Sequence, residues 1–264
     1  MLASLALISL LQAPSIGAGD LSLTNVRFTF GVLGPTRAEA KVRPGDNLFL
    51  SFDIQGISTD DSGKASYSTS VEVSDSTGKV AFSQPARKLQ EHLPLGGDVL
   101  PAFAQIDLGL DSPKGEYTMK VSITDTSSGK SASVSMKFEV LPKGFDLTRF
   151  SFTGDSDGVV PIAAYGVGQP FWFHGSVVGF TRSPQTKQPN VVLRLRVVDE
   201  SGKFVKPFTG TVDKDVEASA TSLPVRFFVP LNKAGKYTIE VLATDDVKGT
   251  TVTKKFPITV FPAK

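Results

Sequence analysis

The stretch Gly115-Glu116-Tyr117-Thr118-Met119-Lys120-Val121-Ser122-Ile123-Thr124-Asp125 decides the fold, because its pattern returns as Gly235-Lys236-Tyr237-Thr238-Ile239-Glu240-Val241-Leu242-Ala243-Thr244-Asp245. In each copy a glycine is followed by Tyr, then Met or Ile, then Val, then Ile or Ala, at every second residue. A period of two places those side chains on one face, so each copy reads as a strand buried on one side. The offset of 120 residues (235 − 115) carries on from Val140 and Pro142 to Val260 and Pro262. Two similar β units follow.

The same alternation extends outward through the first unit. Ala104, Ile106, Leu108 and Leu110 form one row. Leu48, Leu50, Phe52 and Ile54 form another after the Arg43-Pro44-Gly45-Asp46 turn, with Phe49, Ser51 and Asp53 on the opposite face. Leu21 to Phe30 reads as an opening strand ended by Gly31 and Gly34-Pro35, and Val71 to Val80 as a hairpin around a glycine turn. Residues 84–98 show no clear period and read as a loop with at most one short helical turn. Val134 to Leu141 closes a set of about seven short strands, the pattern of a β-sandwich.

In the second unit Leu147 to Phe152 repeats the opening strand, and Phe171, Phe173, Gly175 and Val177 replace the Leu48 row at an offset of 123 (171 − 48). Val191, Leu193, Leu195 and Val197 alternate with outward Arg194 and Arg196; Val225, Phe227, Val229 and Leu231 follow. Asp199-Glu-Ser-Gly-Lys203 matches Asp75-Ser-Thr-Gly-Lys79. Only Pro142-Lys-Gly-Phe-Asp146 separates the units, so little independent tumbling and a small interface near Phe145 are expected.

Each unit is long enough to bury a core of its own without metals or disulfides, and there is no cysteine to make one. Residues 19–142 carry 12 Lys+Arg and 15 Asp+Glu (net −3), and residues 143–264 carry 16 and 11 (net +5). The charges are interspersed, which argues for solvated faces over a nucleic-acid or membrane patch. Leu2 to Leu11 is apolar apart from Ser4 and Ser9, and small residues follow through Ala18. That length suits the apolar core of a signal peptide and is too short to span a bilayer. Residues 1–19 therefore read as an export signal and the mature chain as secreted or periplasmic, with no integral membrane span. A buried first element and a mis-assigned start are the alternatives, because no Lys or Arg precedes the run.

The arrangement Asp111…Gly115-x-Tyr117-x-Met119 resembles the strand-F corner of immunoglobulin-like domains, with Met119 and Ile239 where that family carries a cysteine. The Gly-x-Tyr strand ending in Thr-Asp, with a closing strand ending in Val-x-Pro, is similar to the fibronectin-III-like and macroglobulin-like modules of bacterial exported proteins. The fold implied is all-β: two tandem antiparallel immunoglobulin-like β-sandwiches, at residues 20–142 and 143–264. No activity comes with the resemblance.

Signals of catalysis are weak. His92 and His174, the only histidines, fall in different units and outside any zinc spacing. No nucleophile elbow, phosphate loop or dinucleotide fingerprint is present. Gly154-Asp155-Ser-Asp157-Gly158 contains only a fragment of a calcium loop and reads as a turn; Asp60-Asp61 and Asp245-Asp246 are weaker carboxylate pairs. No catalytic residue, metal site or cofactor is assigned. One constellation stands out: if Phe171, Phe173, Val225 and Phe227 face inward, then Trp172, His174, Arg226 and Phe228 face outward. In an immunoglobulin-like arrangement their strands are neighbours. Phe49 and Phe103 echo them in the first unit. Aromatic side chains beside an arginine suit a binding surface, unless a loop such as 153–165 or the neighbouring unit covers them. The expected function is an exported, non-catalytic binding or structural module for a protein or glycan partner of the cell envelope, with carbohydrate binding through the outward aromatics as the alternative and nucleic acid as no partner.

Overall fold

The computed structural model describes residues 20–204 and 207–263; the export-signal reading of residues 1–19 lies outside them. The described chain is all-β and holds no helix. Eight strands come first: β1 (Ser22–Thr29), β2 (Lys41–Val42), β3 (Asn47–Gln55), β4 (Lys64–Asp75), β5 (Val80–His92), β6 (Val99–Asp107), β7 (Gly115–Asp125) and β8 (Ser131–Val140). Eight more follow: β9 (Asp146–Thr153), β10 (Tyr165–Gly166), β11 (Trp172–Val178), β12 (Val191–Asp199), β13 (Phe208–Val212), β14 (Ser222–Phe228), β15 (Gly235–Asp245) and β16 (Thr250–Phe261).

They form four sheets, ordered β1-β3-β6, β2-β8-β7-β4-β5, β9-β11-β14 and β10-β16-β15-β12-β13. Adding eight to each strand number of the first two sheets gives the other two. Each three-stranded sheet turns its apolar face toward a five-stranded one. Leu48, Leu50, Phe52 and Ile54 of β3 share a buried cluster with Met119, Val121 and Ile123 of β7. Phe171, Phe173 and Val177 share a second cluster with Ile239, Val241 and Ala243. The two-residue strands β2 and β10 pair parallel with β8 and β16; the other ladders are antiparallel. A short stretch suffices there, because the chain is crossing from the small sheet to the rim of the large one.

Three local expectations are corrected. Residues 84–92 are not a loop but the second half of β5, a thirteen-residue strand. It pairs only with β4 at the sheet edge and is largely exposed on both faces, so neither face needed an apolar period. Its ladder slips opposite Thr69/Val71, next to Pro85, as expected where proline enters an edge strand. Leu110, read as the end of an alternating row, lies beyond β6 and is exposed. The joint is also more than a small contact at Phe145: Phe30, from the end of the opening strand, packs against the second cluster.

Tyr117 Oη donates to Pro113 O at 3.0 Å and Tyr237 Oη to Ala234 O at 3.4 Å, so each tyrosine ties the turn ahead of its strand. At the far ends of β7 and β15, Asp125 and Asp245 are fully buried and organise the next turn. Asp125 accepts from Ser127 N and Ser58 N at 2.8 and 3.0 Å, and Asp245 from Val247 N and Thr181 N at 3.0 and 2.8 Å.

Candidate functional site: the outer face of β11 and β14

β11 and β14 run side by side, with Trp172 opposite Phe228 and His174 opposite Arg226. Phe171 and Phe173 are wholly buried beneath them, and Val225 nearly so. Alternation therefore brings the four expected residues together on the outer surface. The Trp172 and Phe228 ring centroids lie 5.1 Å apart with planes tilted by 46°. Phe228 is 44% exposed, Arg226 is exposed, and Trp172 and His174 are half-buried.

The loop after β9 leans over one end of this row. Arg226 Nη1 donates to Ser156 O at 3.2 Å, and the backbone at Gly158 lies against the His174 ring. His174 Nε2 is 3.0 Å from Thr153 Oγ1, whose own hydroxyl donates to Asp155 O at 2.8 Å. With that proton committed, Thr153 Oγ1 accepts from His174, so Nε2 carries a hydrogen. His174 is thus a support for the loop. The loop reaches the His174–Arg226 end, where Arg226 stays exposed, and leaves the Trp172–Phe228 end open.

The equivalent place in the first half carries Phe49 and Phe103, with ring centroids 5.9 Å apart. Only Phe103 is exposed, at 48%; Phe49 is buried, although it lies on the outward face of β3.

The acidic groups that resembled calcium ligands serve turns. Asp155 accepts from the backbone N–H groups of Val159 and Val160, which hold its carboxyl below the usual range. Asp60, Asp75 and Asp199 each accept from a hydroxyl two residues on and from the amide of a lysine four on (Ser62 and Lys64, Thr77 and Lys79, Ser201 and Lys203). The hydroxyl bond is the main cause of their lowered pKa values. Among the described residues no group of three or more His, Cys, Asp or Glu is placed to hold a metal ion. An open hollow of about 340 Å³ at the joint is lined in part by Pro44, Leu110, Val178 and Phe180. Arg182 at its side donates to the carbonyls of Lys187, Glu217 and Ala220 and so is tied to backbone. No helix among the described residues is long and apolar enough to cross a membrane.

No protein-family model and no curated protein matches the chain. Among solved structures it is similar to dimeric latent PorU from Porphyromonas gingivalis over 94% of this chain, at 9% identity and a TM-score of 0.41. It spans only 21% of the PorU chain. It is also similar to the C-terminal domain of wzt (47% of this chain, 77% of that one, 13% identity, TM-score 0.34). A third likeness is to the alkylpurine DNA glycosylase AlkC of Pseudomonas fluorescens, bound to DNA containing an abasic site analogue (47% and 31%, 16% identity, TM-score 0.30). These likenesses are too distant to assign a family.

Proposed function

We propose that the chain is an exported pair of tandem immunoglobulin-like sandwiches, residues 20–142 and 143–264, acting without catalysis as a binding module for a protein partner of the cell envelope. The two sets of sheets in the same strand order and the paired tyrosine bonds support the architecture. The binding reading rests on one observation: a tryptophan and a half-exposed phenylalanine stand in contact on an outer sheet face, beside an exposed arginine. Those residue types dominate the energetic centres of protein interfaces.

Carbohydrate binding is the second reading, favoured by the same aromatic pair. Phe228→Ala separates the outcomes. Phe228 is half exposed on an edge strand, so its loss leaves the fold intact, while removing an interface anchor weakens binding about tenfold or more. A pull-down from the envelope fraction with wild type and variant is expected to lose a specific protein band, and a glycan array to stay blank. Equal capture by both proteins refutes the site; glycan binding that Phe228→Ala abolishes selects the second reading.

A further inference from the structure

We propose that residues 30–37 form a tongue that locks the two halves into one thermodynamic and mechanical body, whatever the Trp172 face binds. The tongue folds on itself: Phe30 N donates to Pro35 O at 2.9 Å and Arg37 N to Phe28 O at 2.8 Å. Its tip reaches into the second half. The Phe30 ring lies 5.5 Å from Phe150 and 4.9 Å from Phe256, both buried, and Phe256 in turn meets Phe152 and Phe173. A side chain from the first half thus caps the aromatic core of the second. The approach is tight enough to require glycine at Gly31, where φ is +74° and a Cβ would come within 2.7 Å of Phe150 O.

Behind the tip sits a buried charge network. The Arg37 guanidinium stacks 4.4 Å over Phe30 and pairs with Asp46 at 3.0 Å; the two side chains are 3% and 4% exposed. The other Asp46 oxygen accepts from Arg149 N, across the joint, at 2.7 Å. Arg149 Nε donates to Gly45 O at 2.8 Å. Asp46 is therefore held from both halves: Arg37 and the Asn47 amide, the latter at 2.9 Å, come from the first and the Arg149 amide from the second, so parting them costs a charge-assisted hydrogen bond. A second clasp repeats the logic near the surface. Asp146 receives Arg43 Nε from the first half at 2.7 Å and Lys254 Nζ from the second at 2.9 Å.

These devices belong to this joint and are not a by-product of the repeated topology. Matching the two halves by their ladders, with Thr29 opposite Phe49 and Thr153 opposite Trp172, puts Gly154 where Phe30 stands. Val42 opposite Val140 and Tyr165 opposite Val260 likewise put Gly166 and Gln169 at the places of Arg43 and Asp46. The plug, the clasp and the hub are all absent from the outer end of the second half.

The test is calorimetry on the full chain, with small-angle scattering and trypsin cleavage after Lys143, whose side chain is 62% exposed in the joint. Wild type is expected to unfold in one transition whose calorimetric and van't Hoff enthalpies agree, and to resist cleavage. The double variant Phe30→Ser/Arg149→Ala is expected to split the transition in two, broaden the scattering distance distribution, and speed cleavage about fivefold or more, as local opening becomes frequent. Arg43→Gln, at a partly exposed position, moves the same readouts less and keeps the test open if the double variant misfolds. Two resolved transitions in wild type overturn the proposal. So does a folded double variant with one transition, unchanged scattering and unchanged cleavage.

Discussion

Replacing Asp125 by alanine is the most searching test of how the strand ends are held. The carboxylate is wholly buried. Oδ1 accepts from Ser127 N at 2.8 Å, and Oδ2 accepts from Ser128 Oγ at 2.8 Å and Ser58 N at 3.0 Å. Hydrogen bonds to a charged group contribute about 1.5–3 kcal/mol each, and a donor stranded in the interior costs about 1–3 kcal/mol. The alanine variant strands at least the Ser58 amide, which comes from a loop 67 residues away, so a loss of about 3–5 kcal/mol is expected. Asp125→Asn keeps one acceptor but turns an N–H₂ toward another donor, and falls between wild type and alanine. Asp245→Ala is expected to cost less than Asp125→Ala, because no hydroxyl stands in the place of Ser128; there Lys248 gives only its amide, at 3.3 Å. Burial raises the Asp125 pKa, but the bonds from Ser58 and Ser128 outweigh it and hold the value below the ordinary 3.8. A depressed folded pKa means the contribution is complete above the unfolded value and fades as pH falls through the folded one. Asp125→Asn therefore flattens the decline below about pH 4. Urea unfolding followed by far-UV circular dichroism is the assay, because the sole tryptophan, Trp172, lies in the second half, away from Asp125, whereas the backbone signal covers both. Losses near zero for both Asp125→Ala and Asp245→Ala would falsify the strand-end account.

Three further outcomes follow. Tyr117→Phe is expected to cost about 1 kcal/mol in chemical denaturation, and Tyr237→Phe less, since its bond is 3.4 Å against 3.0 Å; the reverse order contradicts the geometry. Burial pushes the Tyr165 phenol up to about 12. Stability that depends on its neutral form is present below the unfolded value near 10 and lost as pH rises through the folded one, so Tyr165→Phe flattens the alkaline limb, read as melting temperature against pH. Lastly, Gly31→Ala is expected to lower the melting temperature more than Gly78→Ala. Both glycines have positive φ, but a Cβ at Gly31 collides with Phe150 O while nothing lies within 4 Å at Gly78; equal losses argue against close contact by the tongue.

What the sequence revealed was what period two can carry. β3, β7, β11 and β15 each carry a buried apolar residue at every second position, so Leu48, Met119, Phe173 and Ile239 could be placed from their neighbours alone. The same parity turned Trp172 and Phe228 outward, and the pairing of β11 with β14 makes them neighbours. β5 escaped because a strand exposed on both faces leaves no apolar signature. Asp46, Asp125 and Asp146 escaped for a different reason: their partners lie far off in sequence, at Arg149, Ser58 and Arg43, and no local pattern records a distant amide or guanidinium. Phe30 looked like the last residue of a strand, when it is the plug of the other half.

The rim strand β5 also shapes how copies of the protein meet at high concentration. Val80 and Phe82 leave an oily fringe there, the sort of place where strands of separate molecules can zip together. Two slipped registers, the missing amide proton of Pro85, and the cationic Arg87 and Lys88 break that fringe into pieces too short and too charged to template a neighbour. Straightening it with Pro85→Val, Arg87→Thr and Lys88→Thr is expected to raise edge-to-edge association over wild type, read by light scattering at matched concentration.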